Sequence, residues 1–220
     1  MIAPLEEKEL KPFAFFFKAV KESMGFVPSS MKTMARVPAI MGAFSILSGT
    51  VLGDPSKAKP SLFLKLVFRQ LGWSGKYMKS DDRIPMELRH MVSYVSSRAA
   101  GCQYCQAHTF AHLAHDTTNM AKMEKIWEFE SSELFTDAEK SALRFGIAAG
   151  STPNAVTKEH FEDLRKYYSE NQIVELGGVI ALFGFLNRWN ETFSTQLEEK
   201  PLEVANQYLK KGGWDVGRHG

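Results

Sequence analysis

Both cysteines of the chain and three of its six histidines stand in one stretch, AAGCQYCQAHTFAHLAH, residues 99–115. A cysteine pair at this spacing can clamp a metal, pack as two small apolar residues, or work as a redox dithiol. Cys102, Cys105, His108 and His112 read C-x2-C-x2-H-x3-H, which resembles a zinc pattern. On one helix, however, those four side chains spread over about 15 Å of axis. Zinc ligands must all lie about 2.0–2.3 Å from one ion, and there is no second cysteine pair to complete a site. No metal is expected. Haem attachment through C-x2-C-H fails as well, because Gln106 stands where the histidine is needed.

Free cysteines do serve as small core residues, but this pair follows directly on Gly101, which reads as a helix break. A helix start offers unpaired backbone N–H groups and the positive end of the macrodipole, both of which favour thiolate over thiol. One turn of helix brings the second sulfur within reach of the first, so a disulfide can close and reopen without large backbone motion. A redox-active dithiol is the expected chemistry. His108 lies one turn beyond Cys105 and His112 one turn beyond that, so either can take a thiol proton or protonate a leaving oxygen. The alternative for each is a solvated or backbone-bonded imidazole. His115 falls near the helix end, where a cationic ring suits the dipole.

The elements that must hold these residues read as helix after helix. From Pro85, Leu88, Met91, Val92, Val95 and Ala99 recur at helical spacing and Gly101 ends the run. Thr136 with Glu139, and Ser169 with Gln172, have the spacing of capping boxes. Strand alternation is hard to find, so the expected class is all-α. GDPSKAKPS, residues 53–61, is the best linker candidate, and GSTPNAV, 150–156, the next. The expected organisation is an N-terminal helical extension over 1–61, a main domain over 62–198 and a C-terminal tail over 199–220.

Composition narrows the function further. Net charge is +2 with acids and bases interspersed, and the basic residues between Lys57 and Lys65 are too sparse for a nucleic-acid footprint. The apolar run 173–186 is broken by Glu175 and is short for a bilayer, which needs about 20 residues. PFAFFFKAV near the start lacks the basic flank of a signal peptide. Neither nucleic acid nor membrane is an expected partner. Two cysteines are too few for a secreted disulfide framework, so the expected compartment is the cytoplasm, where a close pair points to catalysis or metal. Sixteen phenylalanines and four tryptophans exceed what a small helical core needs, and the glycine-containing run 173–186 could pack against a second subunit. A homo-oligomer is expected.

The stretch MELRHMVSYVSSRAAGCQYCQAHT resembles the core motif of the carboxymuconolactone decarboxylase and AhpD-like alkylhydroperoxidase superfamily. LFGFLNRWNETF is similar to the closing segment of its peroxidase-related members, and GFVPSSMKTMARVPAI to their N-terminal helical region. The resemblance runs from about residue 25 to 198. It implies an AhpD-like helical bundle, built as an oligomer, with the dithiol at an interfacial active site. It further implies that Cys105 attacks a peroxide and Cys102 resolves the sulfenic acid as a disulfide. No bound cofactor is implied; the disulfide is reduced by a dithiol partner, which can be a lipoyl-bearing protein. Helix-start electrostatics alone would favour Cys102 as the attacking thiol.

Two positions depart from the family pattern. The family glutamate twelve residues before the first cysteine is His90 here. The family histidine four residues after the second cysteine is Thr109, with histidine one place earlier at His108. His90 is therefore the expected replacement base, with His108 and then His112 behind it. The activity implied is thiol-dependent peroxide reduction in antioxidant defence. Decarboxylation of a lactone acid, which names the superfamily, needs no dithiol, and a non-catalytic thiol sensor would oxidise without turning over.

Overall fold

A computed structural model describes residues 3–24, 27, 29–52, 68–76, 82–114 and 117–220. The chain folds into helices, and no strand occurs among the described residues. It divides into two compact units, Met1–Arg83 with Glu170–Glu175, and Ile84–Ser169 with Leu176–Gly220. The linker candidate 53–61 lies outside the described residues.

The first unit contains α1 (Glu7–Leu10), α2 (Ala14–Met24), α3 (Ser29–Met34), α4 (Pro38–Leu52) and α5 (68–76). Pro38 opens α4, where its missing N–H and fixed φ cost nothing. Leu10, Phe16, Phe17, Met31, Ala35 and Met41 form the core of the unit. The unit extends past the expected division at residue 61 because α5 contributes to this packing. Trp73 sets its ring edge-on to Phe13 and Phe16 at 5.7 and 6.3 Å. Gln70 Nε2 donates to the Ala39 carbonyl at 2.9 Å.

The second unit holds α6 (Met86–Ala99), α7 (Gln103–Leu113), α8 (Thr117–Glu124), α9 (Asp137–Gly150), α10 (Lys158–Leu164), most of α11 (Glu170–Phe193) and α12 (Glu199–Tyr208). The apolar positions read from Pro85 onward are buried on α6: Leu88, Met91, Val92 and Val95. That face packs against α9 and α7, while α12 covers α7 from another side. Thr136 caps α9 as its sequence indicates. Its hydroxyl accepts from Glu139 N at 3.2 Å, and the Glu139 carboxylate accepts from Thr136 N at 2.9 Å.

Contact between α6 and α9 is so close that it admits only glycine at Gly150. A Cβ there would stand 2.5 Å from the Ser96 carbonyl oxygen. Residues 199–220, expected as a tail, are α12 followed by 3₁₀ turns at Lys210–Gly212 and Gly217–His219. They are tied down on α7: Trp214 Nε1 donates to the Gln103 carbonyl at 3.1 Å, and Trp214 and His219 are buried. Among the described residues, no helix is long and apolar enough to cross a membrane.

Candidate functional site

The turn from α6 into α7 makes the site. Gly101 takes a φ of +79°, a left-handed conformation that costs other residues about 1–2 kcal/mol. This reversal lets Cys102 N donate to the Ser97 carbonyl at 3.0 Å and places Cys102 as the N-cap of α7. Cys102 Sγ accepts the Cys105 N–H at 3.3 Å. The two cysteines approach to 3.0 Å and are both free thiols, 0% and 2% exposed.

The two sulfurs are not equivalent. Cys105 is held below the ordinary thiol range, chiefly because the Cys102 S–H donates to it. Burial opposes this, and the Asn190 amide, whose Nδ2 lies 3.5 Å from Cys105 Sγ, adds to it. Cys102 is pushed up, first by donating that hydrogen bond and then by burial, despite the backbone N–H it accepts. Helix-start electrostatics alone orders them the other way; here the side-chain donors around Cys105 outweigh the single N–H at the cap.

Asn190 comes from α11, and its neighbour Glu191 is also close enough to the dithiol to raise both thiols. Glu191 Oε1 lies 3.0 Å from His219 Nε2, and His219 Nδ1 lies 2.8 Å from the Thr195 carbonyl. Leu197 N donates to the His219 carbonyl at 2.7 Å, which pins the last 3₁₀ turn against the end of α11. A cavity of 440 Å³ opens beside this helix, lined by Ser96, Ala100, Asn187, Arg188 and Glu191 among others. Asn187 Oδ1 is buried without a hydrogen-bond partner.

The three histidines singled out in the sequence fall into two further groups. His90 stacks on His112, with centroids 5.2 Å apart and ring planes 20° from parallel. Burial lowers the His90 pKa, with smaller contributions from His112 and Arg89. His108 Nε2 lies 2.6 Å from Glu198 Oε2, and Tyr104 donates to the same carboxylate at 3.0 Å. Partial burial of Glu198 works against ionisation, yet its own backbone N–H, His108 and Tyr104 together hold its pKa down. The first group links α6 to α7, and the second links α7 to the start of α12. Thr109, in the place of the family histidine, donates its hydroxyl to the Cys105 carbonyl at 2.8 Å. His115 lies outside the described residues. Among those described, no three or more His, Cys, Asp or Glu side chains cluster as a metal site would require.

No family model matches the chain. Solved structures do. The debrominase Bmp8 is 30% identical, with a TM-score of 0.55 over 94% of this chain and 97% of that one. A cysteine-to-alanine variant of Bmp8 in complex with 2,3,4-tribromopyrrole matches over the same shares at 28% identity and a TM-score of 0.57. A protein of unknown function from Agrobacterium tumefaciens, described as the putative antioxidant defence protein AhpD, is 20% identical. It has a TM-score of 0.49 over 60% of this chain and 91% of its own. The chain belongs to the carboxymuconolactone decarboxylase and AhpD-like superfamily. The uncharacterised protein YnjA of Escherichia coli (strain K12) is 26% identical over 125 residues, which is 57% of this chain and 67% of YnjA.

In this AhpD-like chain the groups around the sulfurs include three that the sequence did not single out: Asn190, Glu191 and His219. The first two had a local signal. Asn187, Asn190 and Glu191 sit within four residues of one another on a stretch of α11 rich in apolar and aromatic residues, so they share a face. A polar stripe on a hydrophobic helix marks a lined cavity or a partner for buried groups. His219 has no such signal, because only the tertiary fold returns the end of the chain to the start of α7.

Proposed function

We propose that the chain is a thiol peroxidase that reduces hydroperoxides with the Cys102–Cys105 dithiol. The observation that carries this is the geometry of the pair: the two free cysteines approach to 3.0 Å at the start of α7, and the Asn190 amide lies 3.5 Å from Cys105 Sγ. The Cys105 thiolate attacks one peroxide oxygen, the O–O bond breaks, and the departing alkoxide takes up a proton. Cys102 then attacks the sulfenic acid, water leaves, and the disulfide closes. Peroxide gains two electrons and the dithiol loses them. A dithiol reductant, such as a lipoyl-bearing protein, returns the pair to its starting state. The cytoplasm, as a reducing compartment, is the setting this cycle needs.

A second reading has its own observation, the match to the debrominase Bmp8 along nearly the whole of both chains. The same dithiol can remove bromine from an electron-rich aromatic carbon. The thiolate bonds to bromine, the carbon takes a proton, and the second thiol expels bromide as the disulfide forms. The two readings separate in one set of assays with dihydrolipoamide as reductant, following peroxide consumption and bromide release from a bromopyrrole. Release of carbon dioxide from a lactone acid is followed beside them. Turnover of the peroxide alone supports the first reading, whereas bromide release without peroxide turnover replaces it with the second.

A further inference from the structure

The second unit carries a further cavity, of 410 Å³, walled by aromatic rings. Tyr94 and Arg98 stand about one turn apart on α6 and so share a face. The Tyr94 ring, 1% exposed, meets Phe110 of α7 edge-on at 5.8 Å and Trp127 at a tilt at 5.9 Å. Phe110 in turn stacks on Tyr208 of α12 at 5.8 Å. The rings thus form one unbroken chain from the 3₁₀ turn Ile126–Glu128 to the end of α12. Met123, Ile126 and Leu209, all buried, add apolar lining.

The charged lining selects among ligands. Arg98 lays its guanidinium over the Trp127 ring, 4.4 Å from the centroid, and its Nη2 donates to the Gly212 carbonyl at 3.2 Å. That bond uses one of five guanidinium N–H donors, and the stacking fixes the plane of the rest. Lys211 adds a second cation and Glu124 a single carboxylate, both exposed. Bare aromatic walls would suit a cation, but Arg98 already takes the Trp127 face. Two cations against one carboxylate favour an anion instead. The volume falls within the roughly 300–1,000 Å³ of small-molecule sites.

We propose that this cavity is a binding site for a planar aromatic carboxylate. The ring of the ligand packs on Tyr94 and Tyr208, and its carboxylate meets the Arg98 fork with Lys211 beside it. Neither cysteine is among the lining residues, so the site stands apart from the thiol chemistry and does not depend on the peroxidase reading. A ligand held there touches α6 and α12 together, and so stabilises the folded chain as it binds.

The test is calorimetric titration of the reduced full chain with three probes: 2-naphthoate, the neutral 2-naphthalenemethanol, and the saturated decahydro-2-naphthoate. The first should bind at one equivalent per chain with a Kd below about 1 mM. Loss of the charge or of the aromatic ring should weaken binding at least about fivefold in each case. Arg98→Gln should weaken 2-naphthoate at least about tenfold, and Lys211→Glu about threefold or more. Lys211 is exposed, so that variant keeps the test decisive if Arg98→Gln does not fold. Binding should survive in the Cys102→Ser/Cys105→Ser double variant. No peroxide enters the experiment, so failure of the peroxidase reading leaves it untouched. Absence of binding at 1 mM, equal binding of either comparison probe, or indifference to Lys211→Glu would overturn the proposal. Loss of binding in the double cysteine variant would place the ligand at the dithiol and overturn it as well.

Discussion

At Cys105 the chemistry is set by donors, and each donor can be removed singly. Replacing Asn190 with Ala deletes the amide 3.5 Å from Cys105 Sγ. The thiolate loses a favourable partner, so its titration should move to higher pH and the reduced protein should react more slowly with peroxide near neutrality. Cys105→Ser should abolish peroxide consumption, whereas Cys102→Ser should allow one reaction and then stall as a sulfenic or mixed-disulfide species, detectable by mass spectrometry. The reverse pattern would make Cys102 the attacking thiol. His90 gives a separate prediction with the opposite sense of pH. Its folded pKa is lowered from 6.5, so the unfolded chain binds its proton more readily than the fold does. Stability conferred by the neutral ring is complete above about pH 6.5 and is lost as pH falls toward the folded pKa. Melting temperatures measured between neutral and mildly acidic pH should therefore drop less for His90→Gln than for the wild type. An unchanged slope would mean that the His90–His112 stack has no part in acid sensitivity. The residues named from sequence alone include the dithiol because C-x2-C after a glycine is a local pattern. His219 was not legible, because its two bonds reach Thr195 and Glu191 only after the chain has folded back.

At the scale of elements, the α6–turn–α7 unit was legible because each part carries its own local signal. The apolar period of α6, the left-handed Gly101 and the sulfur cap at Cys102 lie within a few residues of one another. The capping box at Thr136 was readable for the same reason. What the sequence did not disclose is how α9 approaches α6, since that depends on surfaces distant in the chain. The two glycines of α9 give a graded test. At Gly146 an added Cβ would meet Val95 Cγ2 at 3.0 Å and Val92 Cγ1 at 3.3 Å, both side-chain atoms that can shift. At Gly150 it would meet the Ser96 carbonyl oxygen at 2.5 Å and the Ser96 Cα at 2.7 Å, which are fixed in α6. Gly150→Ala should therefore cost about 1–3 kcal/mol in denaturant unfolding, and Gly146→Ala less, even though alanine is the better helix former at both positions. Equal stability of the two variants would mean that α9 can move away from α6 freely.

For the whole molecule, the surface of α11 bears on the expected assembly. Leu182, Phe185, Trp189 and Phe193 are 56%, 43%, 52% and 63% exposed and follow one another along one face of the helix. Phe185 and Trp189 lie 5.9 Å apart by ring centroid, and Trp189 and Phe193 4.8 Å, so the aromatics form a continuous ridge. Sequence composition pointed to an excess of aromatics, and the run 173–186 to a contact with a second subunit; the exposed ridge extends further along α11, to Phe193. Exposed apolar ridges of this kind are unfavourable in water and are commonly covered by a partner. A second copy of the chain is the occupant implied by the AhpD-like resemblance, which places the dithiol near an interface. Asn187, Asn190 and Glu191 stand on the same helix as the ridge, so assembly and reactivity should be linked. Light scattering at micromolar concentration should give a mass above that of one chain, and Trp189→Glu should lower it toward a single chain. A charge on the ridge opposes burial without touching the sulfurs, so any change in the Cys105 titration in that variant must pass through α11. A wild-type protein that scatters as a single chain would reject the assembly, and the ridge would then remain a solvent-facing part of the cavity helix.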